Sequence, residues 1–149
     1  MDEAIHRRLA VDLFNCSWRL LELPSRTREQ DDELIHAAHA SALHWRECGT
    51  PANVSRGEGQ CARVYAALGR PEPALHHAYR CLELVRAAPA EHEDWDLASA
   101  YEVLARAELT AGNDEEAARL AALARDELTR VGDPDDREIV EGQLAELDI

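Results

Sequence analysis

Apolar residues recur along the chain at intervals of three and four, and no stretch alternates apolar with polar positions as a half-buried strand does. The first periodic segment runs from about Glu3 to Leu23 and is halted by Pro24. Thr27 to Gln30 (TREQ) has the spacing of a capping box and opens a second helix, which ends near Cys48 with Gly49 just past it. Thr50-Pro51 supplies an N-cap and a first-turn proline for a third helix running to Leu68, which Gly69 closes. Pro71 and Pro73 fall in the first turn of a fourth, where a missing N–H costs little. Ala88-Pro89-Ala90 reads as a loop. A fifth helix spans about Glu93 to Ala111 before Gly112, and a sixth spans Asp114 to Val131 before Gly132. Asp133-Pro134 opens a polar seventh. The pattern predicts an all-α chain of about seven antiparallel helices in one domain, 1–149, with segments 1–48, 51–88, 93–131 and 134–147.

Helical facing follows from a rotation of about 100° per residue. Helix one is apolar round about two-thirds of its circumference, so it is expected to be covered on two sides. Ile5, Leu9, Leu13, Cys16 and Leu20 lie on one side, and Phe14, Trp18 and Val11 reach round to the other. Asn15 sits at the edge of that arc, where an amide without a partner costs about 1–3 kcal/mol. On helix two, Leu34, Ala38, Ser41, Ala42, Trp45 and Cys48 share the buried arc. His36 points away from it, and His39 and His44 occupy opposite flanks, roughly 140° apart. One ion does not collect all three, since zinc–nitrogen distances of about 2 Å demand converging side chains. The reading taken is of boundary histidines bonded to neighbouring helices, with no metal and no cofactor. Two alternatives stay open: a partly buried base beside Trp45, and a metal held by His44 and Cys48 with His76 or His77.

The helices also repeat. ARVYAALGRPEPALHHAYRCLEL (62–84) and ARAELTAGNDEEAARLAALARDEL (105–128) align at a constant offset of 43 residues. The offset pairs Ala62 with Ala105, Gly69 with Gly112, Ala74 with Ala117, Ala78 with Ala121 and Cys81 with Ala124. Small residues at such spacing let two helices cross closely. On these residues, and on Tyr65 at the pattern's tyrosine position, the chain over about 55–131 resembles the tetratricopeptide-repeat (TPR) superfamily, in the manner of divergent bacterial members. It departs from the pattern in its longer period, in Glu58 and Tyr101 at the tryptophan position, and in lacking the later proline.

The resemblance implies a short right-handed TPR-like stack. Helices one and two make a divergent first pair, helix seven makes a polar cap, and the first helix of each pair lines a concave groove. Its implied function is non-catalytic binding of a peptide or protein partner, or self-association as a homo-oligomer. The implied groove residues are Arg56, Arg63, Ser99, Glu102 and Arg106, with Asn15, Trp18 and His39 further along. Paired arginines offer bidentate forks to a carboxylate, or else pair internally with Glu58, Asp96 or Glu102. The alternative reading is a small-molecule or metal-binding bundle, with or without catalysis, centred on His39, His44 and Trp45.

Composition narrows the options. A chain of 149 residues buries roughly 70% of its unfolded surface, so it folds without a disulfide framework or structural metal. Aromatics are only 5%, which leaves alanine and leucine to fill the core. There is no lysine, and that excludes Schiff-base chemistry and a lysine phosphate loop. Of the net charge of −14, residues 1–90 carry −1 and residues 91–149 carry −13. The second half therefore repels nucleic acid and anionic membrane, and a binding face belongs to the first. Cys16, Cys48, Cys61 and Cys81 form no CxxC pair and read as free thiols. MDEAIHRRL lacks a signal core, and no run approaches the roughly 20 apolar residues of a span, so the expectation is a cytoplasmic protein.

Gly57 and Gly59 (RGEGQ) lie inside a predicted helix at about 1 kcal/mol each, which points to a close crossing, a ligand or an irregular start. The acidic groups at 91–96 and 133–136 coincide with helix starts, where carboxylates favour the dipole. No nucleophile elbow or HExxH occurs, so no catalytic residue is assigned and the reading leans away from an enzyme.

Overall fold

The computed structural model describes residues 1–149 and contains seven α-helices. They are α1 (Glu3–Leu21), α2 (Arg28–Cys48), α3 (Pro51–Ala67), α4 (Pro71–Ala87), α5 (Asp96–Thr110), α6 (Asp114–Leu128) and α7 (Pro134–Glu146), with a 3₁₀ turn at Pro89–Glu91. The fold is all-α. Its helix starts obey the chain's own signals. Asp2 caps α1 by accepting the Ile5 N–H at 2.9 Å. Thr27 and Gln30 close a reciprocal capping box on α2, and Thr50 and Asn53 do the same on α3.

Two helix ends show the repeat in atomic detail. After α3, the Arg70 N–H donates to the Tyr65 carbonyl and the Gly69 N–H to Ala66. After α5, the Asn113 N–H donates to Glu108 and the Gly112 N–H to Leu109. Both are Schellman turns, and both need their glycine, since Gly69 has φ +70° and Gly112 has φ +82°. The alanines paired by the same offset, Ala62 with Ala105, Ala74 with Ala117 and Ala78 with Ala121, have no exposed surface.

Three boundaries differ from the periodicity by more than one residue: α1 ends at Leu21 rather than Leu23, α6 ends at Leu128 rather than Val131, and the start of α5 moves furthest in its consequences. Helix α5 starts at Asp96 rather than Glu93. Pro89 initiates the 3₁₀ turn, His92 Nδ1 lies 2.7 Å from the Ala88 carbonyl, and the Asp96 carboxylate accepts the Glu93 N–H. These local bonds hold 88–95 as a loop.

Helices α1 and α2, α3 and α4, and α5 and α6 pack as successive pairs. The first members lie side by side, α1 against α3 and α3 against α5, and α7 continues the row beyond α5. The larger core runs through α3 to α7, and a smaller one joins α1, α2 and α3 round Leu20, Leu34 and Val64. Of the arc on α1, Val11 stays 40% exposed. Gly57 lies against α2, where an added Cβ would stand 3.4 Å from Ala42 Cα.

Because both Schellman glycines sit in the left-handed region with open space around them, Gly69→Ala and Gly112→Ala are each expected to cost about 1 kcal/mol from backbone strain alone. Urea denaturation checks this, and unequal costs would show that the two turns are not equivalent.

Candidate functional site

The row of first helices encloses a cavity of about 430 Å³. Helix α1 contributes Phe14 and Trp18, and α3 contributes Ser55, Arg56, Gly59, Gln60 and Arg63. Trp95, Asp96, Ser99 and Val103 come from α5 and its entry, Asp136, Ile139, Val140 and Gln143 from α7, and Cys81 and Val85 close the floor from α4. Phe14 and Trp18 meet edge to face at 6.4 Å between centroids. Mostly apolar walls with a few polar groups are the usual make-up of a ligand site, and the volume lies within the usual ~300–1,000 Å³.

The arginines round this cavity are internally matched, whereas Asp136 on α7 has no ion-pair partner. Glu102 is fully buried. Arg63 Nη2 donates to its Oε2 at 2.5 Å, and Arg106 donates to its Oε1 through Nε at 3.0 Å and Nη2 at 2.6 Å. Arg106 Nη2 also reaches the Gln143 carbonyl at 3.0 Å and Glu146 at 2.9 Å, which ties α7 to α5. Arg56 makes a bidentate pair with the buried Asp96, at 2.9 and 2.7 Å. Each of the two cavity-lining guanidiniums also lies over an indole, Arg56 at 4.4 Å from the Trp95 ring and Arg63 at 5.4 Å from Trp18. The clamp arginines thus face carboxylates of their own chain, Asp96 and Glu102. Of the expected groove set, Arg56, Arg63, Ser99 and Trp18 line the cavity, Glu102 and Arg106 stand behind it, and Asn15 is exposed on α1.

The helix-two histidines lie elsewhere and apart. His39 meets α3 and α4: Nε2 is 2.8 Å from the Tyr65 hydroxyl and Nδ1 is 3.9 Å from Cys61 Sγ. Tyr65 stacks on His77 at 5.8 Å, and His77 Nδ1 is 2.7 Å from Glu58 Oε2. On the opposite flank, His44 Nδ1 is 2.9 Å from His6 Nδ1 on α1. The Cys48 thiol donates to the His44 carbonyl rather than meeting its ring, and Trp45 is buried with Arg7 over it. No three His, Cys, Asp or Glu side chains converge as a metal site would require. His39 and His44 therefore hold α2 to different neighbours.

Local electrostatics follow from burial. Desolvation lowers the His39 pKa, with the His77 charge adding to it and Glu58 opposing. Burial works to raise the Glu58 carboxyl, but the hydrogen bond from His77 and the charges of His77, Arg80 and His76 outweigh it and leave it low. Burial pushes the thiols of Cys61 and Cys81 up to about 12, so neither is a thiolate nucleophile at neutral pH. Ser55 Oγ lies 2.9 Å from His92 Nε2, an arrangement the spacing did not reveal. Ser55 Oγ also donates to the Ala52 carbonyl at 3.1 Å, and its contact with His92 pins the 88–95 loop to α3.

Gln60, Phe14 and Trp95 were not singled out for this site from the sequence. A signal existed: Arg56, Gly59, Gln60 and Arg63 fall at i, i+3, i+4 and i+7, one face of α3. The α7 wall carried no comparable signal, since that helix has little amphipathic contrast. No protein-family model matches this chain, and comparisons with curated proteins and with solved structures likewise return no match.

Two outcomes are expected. Glu102→Gln leaves Arg63 buried without its counter-charge and should cost about 3–5 kcal/mol in urea unfolding, whereas Glu146→Gln, on an exposed partner, should cost under about 1. For His39, the folded pKa lies below the ordinary 6.5, so its contribution is full above that value and is lost as pH falls through the lowered one. His39→Gln, which does not titrate, should lose less stability than wild type on going from about pH 7 to about pH 5. A parallel decline in the two proteins would count against a desolvated His39.

Proposed function

We propose that the protein is a non-catalytic binding module, TPR-like in plan, whose groove receives a segment of a peptide or protein partner. The observation that carries this reading is the aromatic-walled cavity on the row α1, α3, α5 and α7. The two matched Schellman turns and the buried alanine pairs at one offset support the repeat plan. The chemistry of the walls favours binding, since Arg56 and Arg63 are each already paired with a carboxylate of the chain itself. These pairs also imply that recognition does not rest on capturing an anionic group. His39, His44 and Trp45, the centre of the competing small-molecule or metal reading, lie on other faces of the bundle. An occupant from a second copy of the chain is a competing source for the same groove.

Selection from a random peptide library on the immobilised protein tests the proposal. Selected peptides should lose at least about tenfold in affinity when Ser99→Trp fills the cavity, and should keep their affinity for His39→Gln. Peptides indifferent to Ser99→Trp, or a selection that yields none, would show that the groove is not a peptide site.

A further inference from the structure

One carboxylate in the cavity wall has no counter-charge. The framework behind the wall is balanced, since the guanidiniums of Arg56, Arg63 and Arg106 meet the carboxylates of Asp96, Glu102 and Glu146. Asp136, on the first turn of α7, also lines the cavity and takes no part in that network. Its neighbour Asp133 is occupied as the N-cap of α7, accepting the Asp135 N–H at 2.8 Å. Asp94 is held beside the same turn by accepting the Gly132 N–H at 3.0 Å. Partial desolvation, followed by the charges of Asp133, Asp94, Asp135 and Glu93, pushes the Asp136 carboxyl above the ordinary carboxylate value. No cation or hydrogen bond of the chain opposes them. The cavity thus carries one negative charge in excess, set in a negative field.

The rest of the wall says which cation fits. Phe14, Trp18, Val103 and Val140 are apolar, so a small, strongly hydrated ammonium or metal ion would lose its water there without replacement. A guanidinium is flat and weakly hydrated, lies readily on aromatic rings, and presents a fork that matches a carboxylate. The chain uses that affinity itself, with Arg56 at 4.4 Å from the Trp95 ring. An arginine also brings a methylene stem that packs along apolar surface. Ile139 lines the cavity yet stays 61% exposed, which gives an apolar ledge for the residue next to that arginine. We infer that the cavity receives an arginine side chain of the partner segment, with the stem along the apolar walls and the guanidinium on the Asp136 carboxylate. This rests on the reading of the groove as a peptide site and names the residue that enters it.

Calorimetric titration with two peptides tests the inference: acetyl-Gly-Leu-Arg-Leu-Gly-amide, and the same peptide with citrulline, an uncharged isostere, in place of arginine. Wild type should bind the arginine peptide at least about tenfold more tightly. Asp136→Asn should bring that preference below about threefold while leaving the citrulline affinity unchanged, which also reports that the variant's cavity is intact. Glu115→Gln removes a like charge from the exposed surface of α6 and should keep the full preference. Ser99→Trp should weaken both peptides. Equal affinity of wild type for the two peptides overturns the inference, as does a preference that survives Asp136→Asn or falls as far in Glu115→Gln. Peptides selected on the groove that lack arginine overturn it too, while leaving the groove a peptide site. Binding of neither probe overturns the inference, and the peptide selection then decides the groove reading by itself. The comparison of the two peptides on wild type needs no variant, so the proposal stays testable if Asp136→Asn fails to fold.

Discussion

The carboxylate of Glu102 is the constraint round which this molecule is arranged. It has no exposed surface, and a charge so placed persists only with partners of opposite sign and good geometry. Those partners come from two helices, Arg63 on α3 and Arg106 on its own α5, and Arg106 goes on to hold α7 through Gln143 and Glu146. Apolar packing alone would let α3 and α5 slide by small increments along rows of alanine. The ion network joins α3, α5 and α7 at fixed points. It holds Arg63 over Trp18, and a separate pair, Arg56 with Asp96, holds Arg56 over Trp95 across the cavity.

A second consequence is chemical. Arginines in a groove invite the expectation of a clamp for an acidic ligand, but here the counter-charges are already part of the wall. What the cavity leaves unpaired is aromatic surface and the Asp136 carboxylate, not a free guanidinium. The acidity concentrated in residues 91–149 lies largely outside this surface, on exposed positions such as Asp114, Glu115, Glu138 and Glu141.

Much of the fold was legible because it is written locally. Capping residues, first-turn prolines and the glycines after α3 and α5 each satisfy backbone groups within a few residues, so the sequence shows them directly. The separation of His39 from His44 was legible too, since helical rotation places them on opposite flanks whatever α2 packs against. The site was only half visible. Arg56, Arg63, Ser99 and Trp18 could be placed by repeat register, but whether an arginine meets a ligand or Glu102 depends on distances between helices 39 residues apart in sequence. Gln60 escaped notice for the same reason: it ties α3 to the Phe14 carbonyl on α1, 46 residues away. Asn15, by contrast, looked like a half-buried amide and is in fact exposed, because the edge of an apolar arc is settled by how close the neighbouring helix comes.

Gly59 shows how such a hollow is kept open. It lies in the middle of α3, where glycine weakens a helix, and it lines the cavity. A methyl group there would stand 3.3 Å from Cys81 Sγ and occupy part of the floor. The emptiness is thus encoded by a missing side chain on an otherwise rigid frame. Alanine there would gain helix propensity but press its methyl against the Cys81 sulfur, so the room that sulfur can yield decides whether the frame tightens or strains.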